Sequence, residues 1–390
     1  MKLTATGSNI SQLAIDTENN TWNTGAPFDE RFKSVCYSWA TEGSSGASTW
    51  SEDSLAYLRD AVTGCRVLIG FNLKYDLHVI RKVAGIQLDI GTHRIWDCQL
   101  AEFVRSNQKL RYPSLEGALI DHDLGHKIDV VKTEYWDKGI QTEDVPWEIL
   151  SEYARVDAER TFALYKRQLE VMTPEQIRLV WLMGMDLLIL EEMEWNGLRF
   201  NEQLCAERSE EITREIHEIS GELSRVYPDV PINFSSGDHL SAFLYGGTIT
   251  EIQKEHIGFF KSGQKIGEPR YKNIEVEHQL PRLVEPLPRS ELKKKGFYAT
   301  NADTLLKLKP SKKTKHIIDL IQKQTRLETL LSKTYKGLIK VRTEQMWKPG
   351  ELHGQFNQVT VATGRLSSSG PNLQNLDGQA QDLFHSRYPD

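Results

Sequence analysis

The feature that most limits what this chain can fold into is a change in its hydrophobic rhythm near Thr173. Before that point, short strand-like runs alternate with amphipathic stretches, the pattern of a sheet flanked by helices. SQLAIDTEN, SVCYSWAT and CRVLIGFN read as strands. SEDSLAYLRDAV opens on a Ser/Asp cap and continues as a helix. LKYDLHVIRKVA carries Leu77, Ile80 and Ala84 as a helix, CQLAEFVR is helical, and WEILSEYARVDAERTFALYKRQLEVM is a long helical pattern. After Thr173 the texture is almost wholly helical. EQIRLVWLMGMDLLILEEMEWNG has an apolar stripe that stops at Gly197, a helix-ending glycine. EQLCAERSEEITREIHEISGELSRV is rich in i,i+4 charge pairs. From Tyr245 to about Asn301 the rhythm is lost among Gly, Pro and Lys, which reads as an irregular or hairpin insertion. Helices resume with DTLLKL and run from His316 to Val341, and the tail from Glu351 begins as a strand and becomes a polar loop. A chain of 390 residues exceeds one ordinary core, so two or three domains are expected.

Composition narrows the class. A hydrophobic share of 39% and a charged share of 26% fit a globular protein. No leader-type apolar segment opens the sequence, and no run of about eighteen apolar residues could cross a bilayer, so no membrane association is expected. Cys36, Cys65, Cys98 and Cys205 form no CxxC pair, which argues against a zinc site or a disulfide framework and for reduced, cytoplasmic thiols. The net charge of −6 hides an asymmetry: Arg289 to Lys340 holds 14 Lys/Arg against 4 Asp/Glu, leaving the rest of the chain at −16. A basic block on an acidic chain points to a polyanion held by one region. A solvated helix face is the plainer alternative.

Carboxylates supply the chemistry. Asp16 and Glu18 end the first strand and, two residues apart, point to one face. Such a pair repels itself unless a hard cation such as Mg²⁺ or Mn²⁺ lies between. Asn72 with Asp76, and Tyr153 with Asp157, are i,i+4 pairs expected to share helix faces. Each has an ordinary reading as well: solvated acids, and a core tyrosine with a wet hydroxyl. Asp97, in RIWDCQL, is set aside as a helix cap. Asp121 and Asp123 read as exposed loop residues, and His122 and His126 straddle Gly125 in what reads as a loop.

In this order, the strand ending in Asp-x-Glu, the helix with Asn-x₃-Asp and the later Tyr-x₃-Asp resemble the tyrosine-bearing DnaQ-like (DEDD) exonucleases, above all the proofreading domain of bacterial DNA polymerase I and phage relatives. The resemblance implies a ribonuclease H-like mixed sheet flanked by helices and a 3′→5′ exonuclease over residues 1–172. It also implies two Mg²⁺ or Mn²⁺ ions. Asp16, Glu18 and Asp157 would hold one, Asp16 would bridge to the second, and Asp76 would hold that second ion through water. Tyr153 would orient the attacking water, and Asn72 would lend a supporting contact. An RNA-trimming nuclease of the RNase D type shares this site and is the alternative substrate class.

The tail motif TVATGRLSSSGPNLQNL closely resembles the segment that opens the palm of family A DNA polymerases, which argues against the RNA-trimming alternative. By that resemblance Thr363, Arg365, Ser367, Asn372, Gln374 and Asn375 approach a primer–template duplex, with Arg365 in the minor groove. NFSSGDHLSAFLY and the helix from His316 resemble the thumb, which makes Lys293, Lys294, Lys295, Lys312, Lys313 and Lys315 phosphate contacts. The implied order is exonuclease (1–172), mainly α thumb-like region (173–350) with an insertion at about 246–296, and the start of the palm (351–390). The insertion is a candidate dock for a processivity factor. The palm aspartates and fingers of the family would follow HSRYPD, so synthesis would need a separate palm-and-fingers chain. A non-catalytic DNA-binding or assembly half of such a split polymerase is the competing reading. The implied setting is the cytoplasm of a bacterium or a phage-infected host.

Overall fold

A computed structural model describes residues 10–386. They form two compact units, one running up to Glu202 and resuming at Leu338, the other comprising Gln203–Gly337.

In the first unit, β1 (Gln12–Asn19), β2 (Ser34–Ala40), β3 (Ser45–Thr49), β4 (Val67–Gly70) and β5 (Arg94–Asp97) form one sheet in the order β3-β2-β1-β4-β5. The sheet is mixed: β1, β2 and β3 pair antiparallel, while β1, β4 and β5 pair parallel. Strands of the parallel half must be joined by crossovers. These carry α1 (Glu52–Gly64), capped by Ser51, α2 (Leu73–Ala84), and after β5 α3 (Cys98–Arg105). Short helices α4 (Leu115–Asp121) and α5 (Val130–Glu134) follow, then the long α6 (Trp147–Val171) and α7 (Pro174–Asn196). Leu13, Ile15, Leu68, Leu73 and Leu187 pack in one core cluster, and Ala14, Ile69, Trp96, Ala158 and Val180 in another. All four cysteines are buried and free. No helix of the described residues is long and apolar enough to cross a membrane.

Compactness divides the chain elsewhere than the expected boundaries at 172 and 350. The reason lies on the inner face of α7, which carries buried carboxylates within its apolar stripe. Glu194 Oε1 accepts from Lys74 Nζ at 2.6 Å, Glu194 Oε2 faces His78 Nε2 at 2.9 Å, and Glu191 Oε2 accepts from Arg81 Nη1 at 3.1 Å. Three cations of α2 thus face α7, and removing one partner would strand a buried charge. Glu194 also accepts the Phe356 N–H at 2.6 Å, which ties the tail to the same helix. The tail's short strands β9 (Glu351–Leu352) and β12 (Phe384–His385) flank β6 (Leu198–Phe200), and β10 (Gln355–Asn357) pairs with β11 (Ser367–Ser369). Gly197 ends α7 as expected, with φ +57°, and a Cβ there would lie 2.5 Å from the Leu352 carbonyl.

The second unit holds most of α8 (Glu202–Ser224), α9 (Gly237–Tyr245), a hairpin of β7 (Gly247–Phe259) and β8 (Pro269–Leu280), α10 (Ala302–Lys307) and α11 (Lys312–Leu330). Phe243, Leu244, Ile318 and Ile321 anchor its core. The insertion is therefore a regular hairpin over its first two thirds. The last helix starts at Lys312, four residues before the expected His316, because Ser311 caps it: its side chain accepts from the Thr314 N–H. A π-helical turn, Leu331–Tyr335, leads from α11 into α12 (Lys336–Glu344).

Where α7 crosses β5, the chain needs a residue without a side chain: a Cβ on Gly184 would lie 2.5 Å from the Ile95 carbonyl oxygen. Gly184→Ala is expected to destabilise the protein by about 1–3 kcal/mol, as overpacking does. Gly221→Ala, in α8 with nothing within 4 Å of the added methyl, is expected to be neutral or stabilising by about 0.5–1 kcal/mol. Thermal unfolding of both variants checks this, and equal shifts would contradict the close crossing.

Candidate active site

The acidic residues read from the sequence come together where β1 meets α6. One oxygen each from Asp16, Glu18 and Asp157 lie within 4.8 Å of one another. Strand alternation puts Asp16 and Glu18 on the face that α6 covers, and a register shift after Glu18 breaks the β1–β2 ladder at this point. Tyr153 and Asp157 share one face of α6, and both are buried. The Tyr153 ring packs with Val131, Val145 and Leu150 and meets the Trp136 edge at 5.9 Å. Asp76 stands next to this group: the Thr17 hydroxyl donates to its Oδ1 at 2.6 Å.

Burial under shared negative charge sets the protonation. Burial and Asp157 push the Asp16 carboxyl up to about 7. Burial, then Asp16, raise Glu18 and Asp76 well above the carboxylate range. Burial also raises the Tyr153 phenol, with Glu18 and Asp157 adding to it, so this hydroxyl stays protonated and is no strong base.

Among the described residues, Lys127 is the cation paired directly with the cluster. Lys127 Nζ lies 2.6 Å from Asp157 Oδ2 and 3.4 Å from the Tyr153 hydroxyl, over the face of that ring. Burial works against its charge, but Asp157, Asp16 and Glu18 outweigh burial and hold the ammonium above its usual range. Glu116 of α4 fixes the loop that presents it, accepting the Lys127 N–H at 2.6 Å and facing His126 Nδ1 at 2.8 Å. Sequence reading missed Lys127 because GHKID carries no spacing that separates it from 47 other basic residues.

A hard divalent cation fits this donor set. Three carboxylates converge, and the buried Asp157 Oδ1 has no hydrogen-bond partner among the described residues.

Several expected details are corrected. Asn72 is not on a helix face with Asp76. It precedes α2 as a cap residue with φ 60°, and its N–H donates to Asp97 Oδ1 at 3.2 Å. Asn72 instead lines a cavity of about 260 Å³ with Lys74, Tyr75 and His78, and none of Asp16, Glu18 or Asp157 borders that cavity. Asp97 is a cap, as expected, but for two helices: it also receives N–H groups of Leu73 and Gln99. Asp121 is exposed at the end of α4, not in a loop, and His122 is buried with Nε2 2.7 Å from Glu102 Oε1.

The expected nucleic-acid contacts lie on surfaces. Lys312, Lys313 and Lys315 are exposed in the first turn of α11, which has no acidic residue. Lys294 is drawn to Asp238 and over the Phe297 ring, whereas Lys293 and Lys295 are exposed. Thr363, Arg365, Gln374 and Asn375 are exposed in and after the β10–β11 connection, Ser367 is half-buried, and the exposed Asn372 accepts the Gln374 N–H.

The electrostatics predict a pH dependence without metal. Asp16 would ionise near its ordinary 3.8 in the unfolded chain but near 7 when folded. Between those values the folded protein keeps a proton that the unfolded one has released, so stability falls as pH rises through this window. In EDTA, melting at about pH 8 should lie below that at about pH 5, and Asp16→Asn should shrink the gap. Mn²⁺ should raise melting at the higher pH in the parent and much less in Asp16→Asn. A gap unaltered by the substitution would contradict the assignment.

Residues 264–387 match the DNA polymerase family A. DNA polymerase I of Bacillus subtilis is 30% identical over 270 residues, covering 66% of this chain and 24% of that protein. DNA polymerase I of Chloroflexus aurantiacus is 27% identical over 251 residues, covering 63% and 22%. DNA polymerase DpoZ of Salmonella phage PMBT28 is 27% identical over 232 residues, covering 56% and 36%. The chain thus spans about a quarter to a third of the length of these curated relatives. The fold is similar to that of the POL domain of Pol1 from M. smegmatis, solved in complex with DNA primer-template and dNTP. There the TM-score is 0.65 at 18% identity, covering 95% of this chain and 54% of that one. The family match over residues 264–387 and these relatives support a relation of this chain to the family A DNA polymerases.

Proposed function

We propose that the β1–α6 cluster is a metal-dependent 3′→5′ exonuclease acting on DNA, set in a ribonuclease H-like sheet. The observation that carries this reading is the convergence of Asp16, Glu18 and Asp157 beside a protonated, buried Tyr153. The mixed sheet order supports the fold assignment. The family relation supports a place in DNA replication or repair.

In this reading Asp16, Glu18 and Asp157 would hold a Mg²⁺ or Mn²⁺ ion, and Asp16 and Asp76 would help to hold a second. Bound there, the ions would lower the pKa of water and offset charge at the leaving oxygen. The protein's own groups do the rest. The Tyr153 hydroxyl orients the attacking water without taking its proton. The Thr17 hydroxyl fixes Asp76. The water oxygen bonds to phosphorus as the P–O3′ bond breaks, and one water proton ends on the 3′ oxygen. The products are a nucleoside 5′-monophosphate and a strand shorter by one residue.

Strand binding is assigned to the basic block and the tail. Three lysines at the positive end of the α11 dipole are unfavourable for the helix alone, but suit a phosphate. Arg365, Thr363, Asn372, Gln374 and Asn375 are proposed contacts to the duplex, and Asn72 a supporting DNA contact.

Hydrolysis of a 3′-labelled single strand in Mg²⁺ tests the site. Asp16→Ala with Glu18→Ala should abolish cleavage, and Tyr153→Phe should retain more activity, since it removes orientation alone. A double variant as fast as the parent would refute the reading. Duplex affinity should fall steeply with salt, with a log–log slope of about −0.9 per phosphate. Lys312→Gln, Lys313→Gln and Lys315→Gln together should flatten that slope by roughly two to three units. An unchanged slope would leave these lysines as surface solvation.

A further inference from the structure

The hairpin β7–β8 is the largest described feature that the proposed function leaves without a task. Its two strands pair from Gly247↔Leu280 to Phe259↔Pro269. Only the root is packed: Ile249 and Leu280 bury against Ala242, with Tyr227, Val230 and Ile232 around them. Beyond Glu251 the ribbon has two wet faces. Ile252, Phe259, Ile266 and Tyr271 are 65%, 58%, 66% and 54% exposed. A two-stranded ribbon with both faces in water is marginal unless something covers it.

Its charge says what would cover it. From Lys254 to Lys272 the ribbon holds five Lys/Arg against two Asp/Glu. The rest of the two strands holds Glu251, Glu275 and Glu277 and no Lys/Arg. The positive charge is thus gathered at the far end, where the connection between the strands carries Lys261 and Lys265. Aromatic rings sit among these cations. His256 lies 5.2 Å from the Phe259 ring and 5.6 Å from the Tyr271 ring, both edge to face. Tyr271 itself stands between Arg270 and Lys272 in the strand. Cations interleaved with exposed rings match a strand whose phosphates are negative and whose bases offer flat faces.

We propose that the outer half of this ribbon is a binding arm for single-stranded DNA. Lys261, Lys265, Arg270 and Lys272 meet phosphates, and Phe259 and Tyr271 stack on unpaired bases. Single strands are favoured over duplex because stacking needs bases that are not already stacked on each other. Binding by the ribbon does not depend on hydrolysis at the acidic cluster.

The test is fluorescence anisotropy of a labelled oligothymidylate in EDTA, which stops any metal-dependent cleavage, across a range of salt. One variant carries Lys261→Gln, Lys265→Gln, Arg270→Gln and Lys272→Gln; a second carries Phe259→Ala and Tyr271→Ala. All six positions are exposed, and equal thermal melting of variants and parent verifies the fold. At about −0.7 slope units per phosphate, the first variant should flatten the salt dependence by roughly two to three units. The second, which removes two stacking rings, should lose about thirtyfold or more in affinity, with the slope kept. Full affinity and slope in both variants would overturn the proposal and leave the ribbon to a protein partner. Losses confined to a duplex control would overturn it as well, making the ribbon a duplex contact. Because binding is read in EDTA without hydrolysis, failure of the hydrolytic reading would not imitate failure of this one.

Discussion

Several carboxylates held together away from water set what the rest of the structure must supply. Asp16, Glu18 and Asp157 cannot all be ionised side by side at low dielectric without a compensating charge. In this structure the compensation is Lys127, whose ammonium reaches Asp157 and lies over Tyr153. The surroundings follow from that need. Glu116 holds the loop that delivers the lysine, the apolar cluster around Val131 and Leu150 fixes the Tyr153 ring, and Thr17 occupies Asp76. A tethered monovalent cation satisfies Asp157 Oδ2 and leaves Oδ1 without a hydrogen-bond partner among the described residues. A divalent ion would use both the charge and the spare oxygen.

A second buried charge system governs the architecture. Lys74, His78 and Arg81 of α2 face Glu191 and Glu194 of α7, and Glu194 also takes the N–H of Phe356. Buried ion pairs contribute little net stability, but they penalise every other docking of the same helix. They assign α7 and the tail to the unit that contains the sheet.

Much of this was legible in the sequence, because the signals were local. Two carboxylates at strand spacing, and a Tyr-x₃-Asp at helix spacing, need only backbone periodicity to share a face. The Ser51 and Asp97 caps and the Gly197 stop follow from hydrogen-bonding and backbone conformation within a few residues. What was not legible was non-local. Helical texture after Thr173 gives no sign that partners of α7 lie more than a hundred residues earlier. Asn72 looked helical by spacing, yet its left-handed backbone is set by Asp97, twenty-five residues on. Lys127 had no signal at all, since its role exists only once α6 covers β1.

The most direct measurement is anomalous scattering from crystals grown with Mn²⁺. The account predicts a peak within coordinating distance of Asp16, Glu18 and Asp157, with the Lys127 ammonium displaced from Asp157. Crystals that bind Mn²⁺ elsewhere, while Lys127 still pairs with Asp157 and no density stands among the three carboxylates, would contradict it.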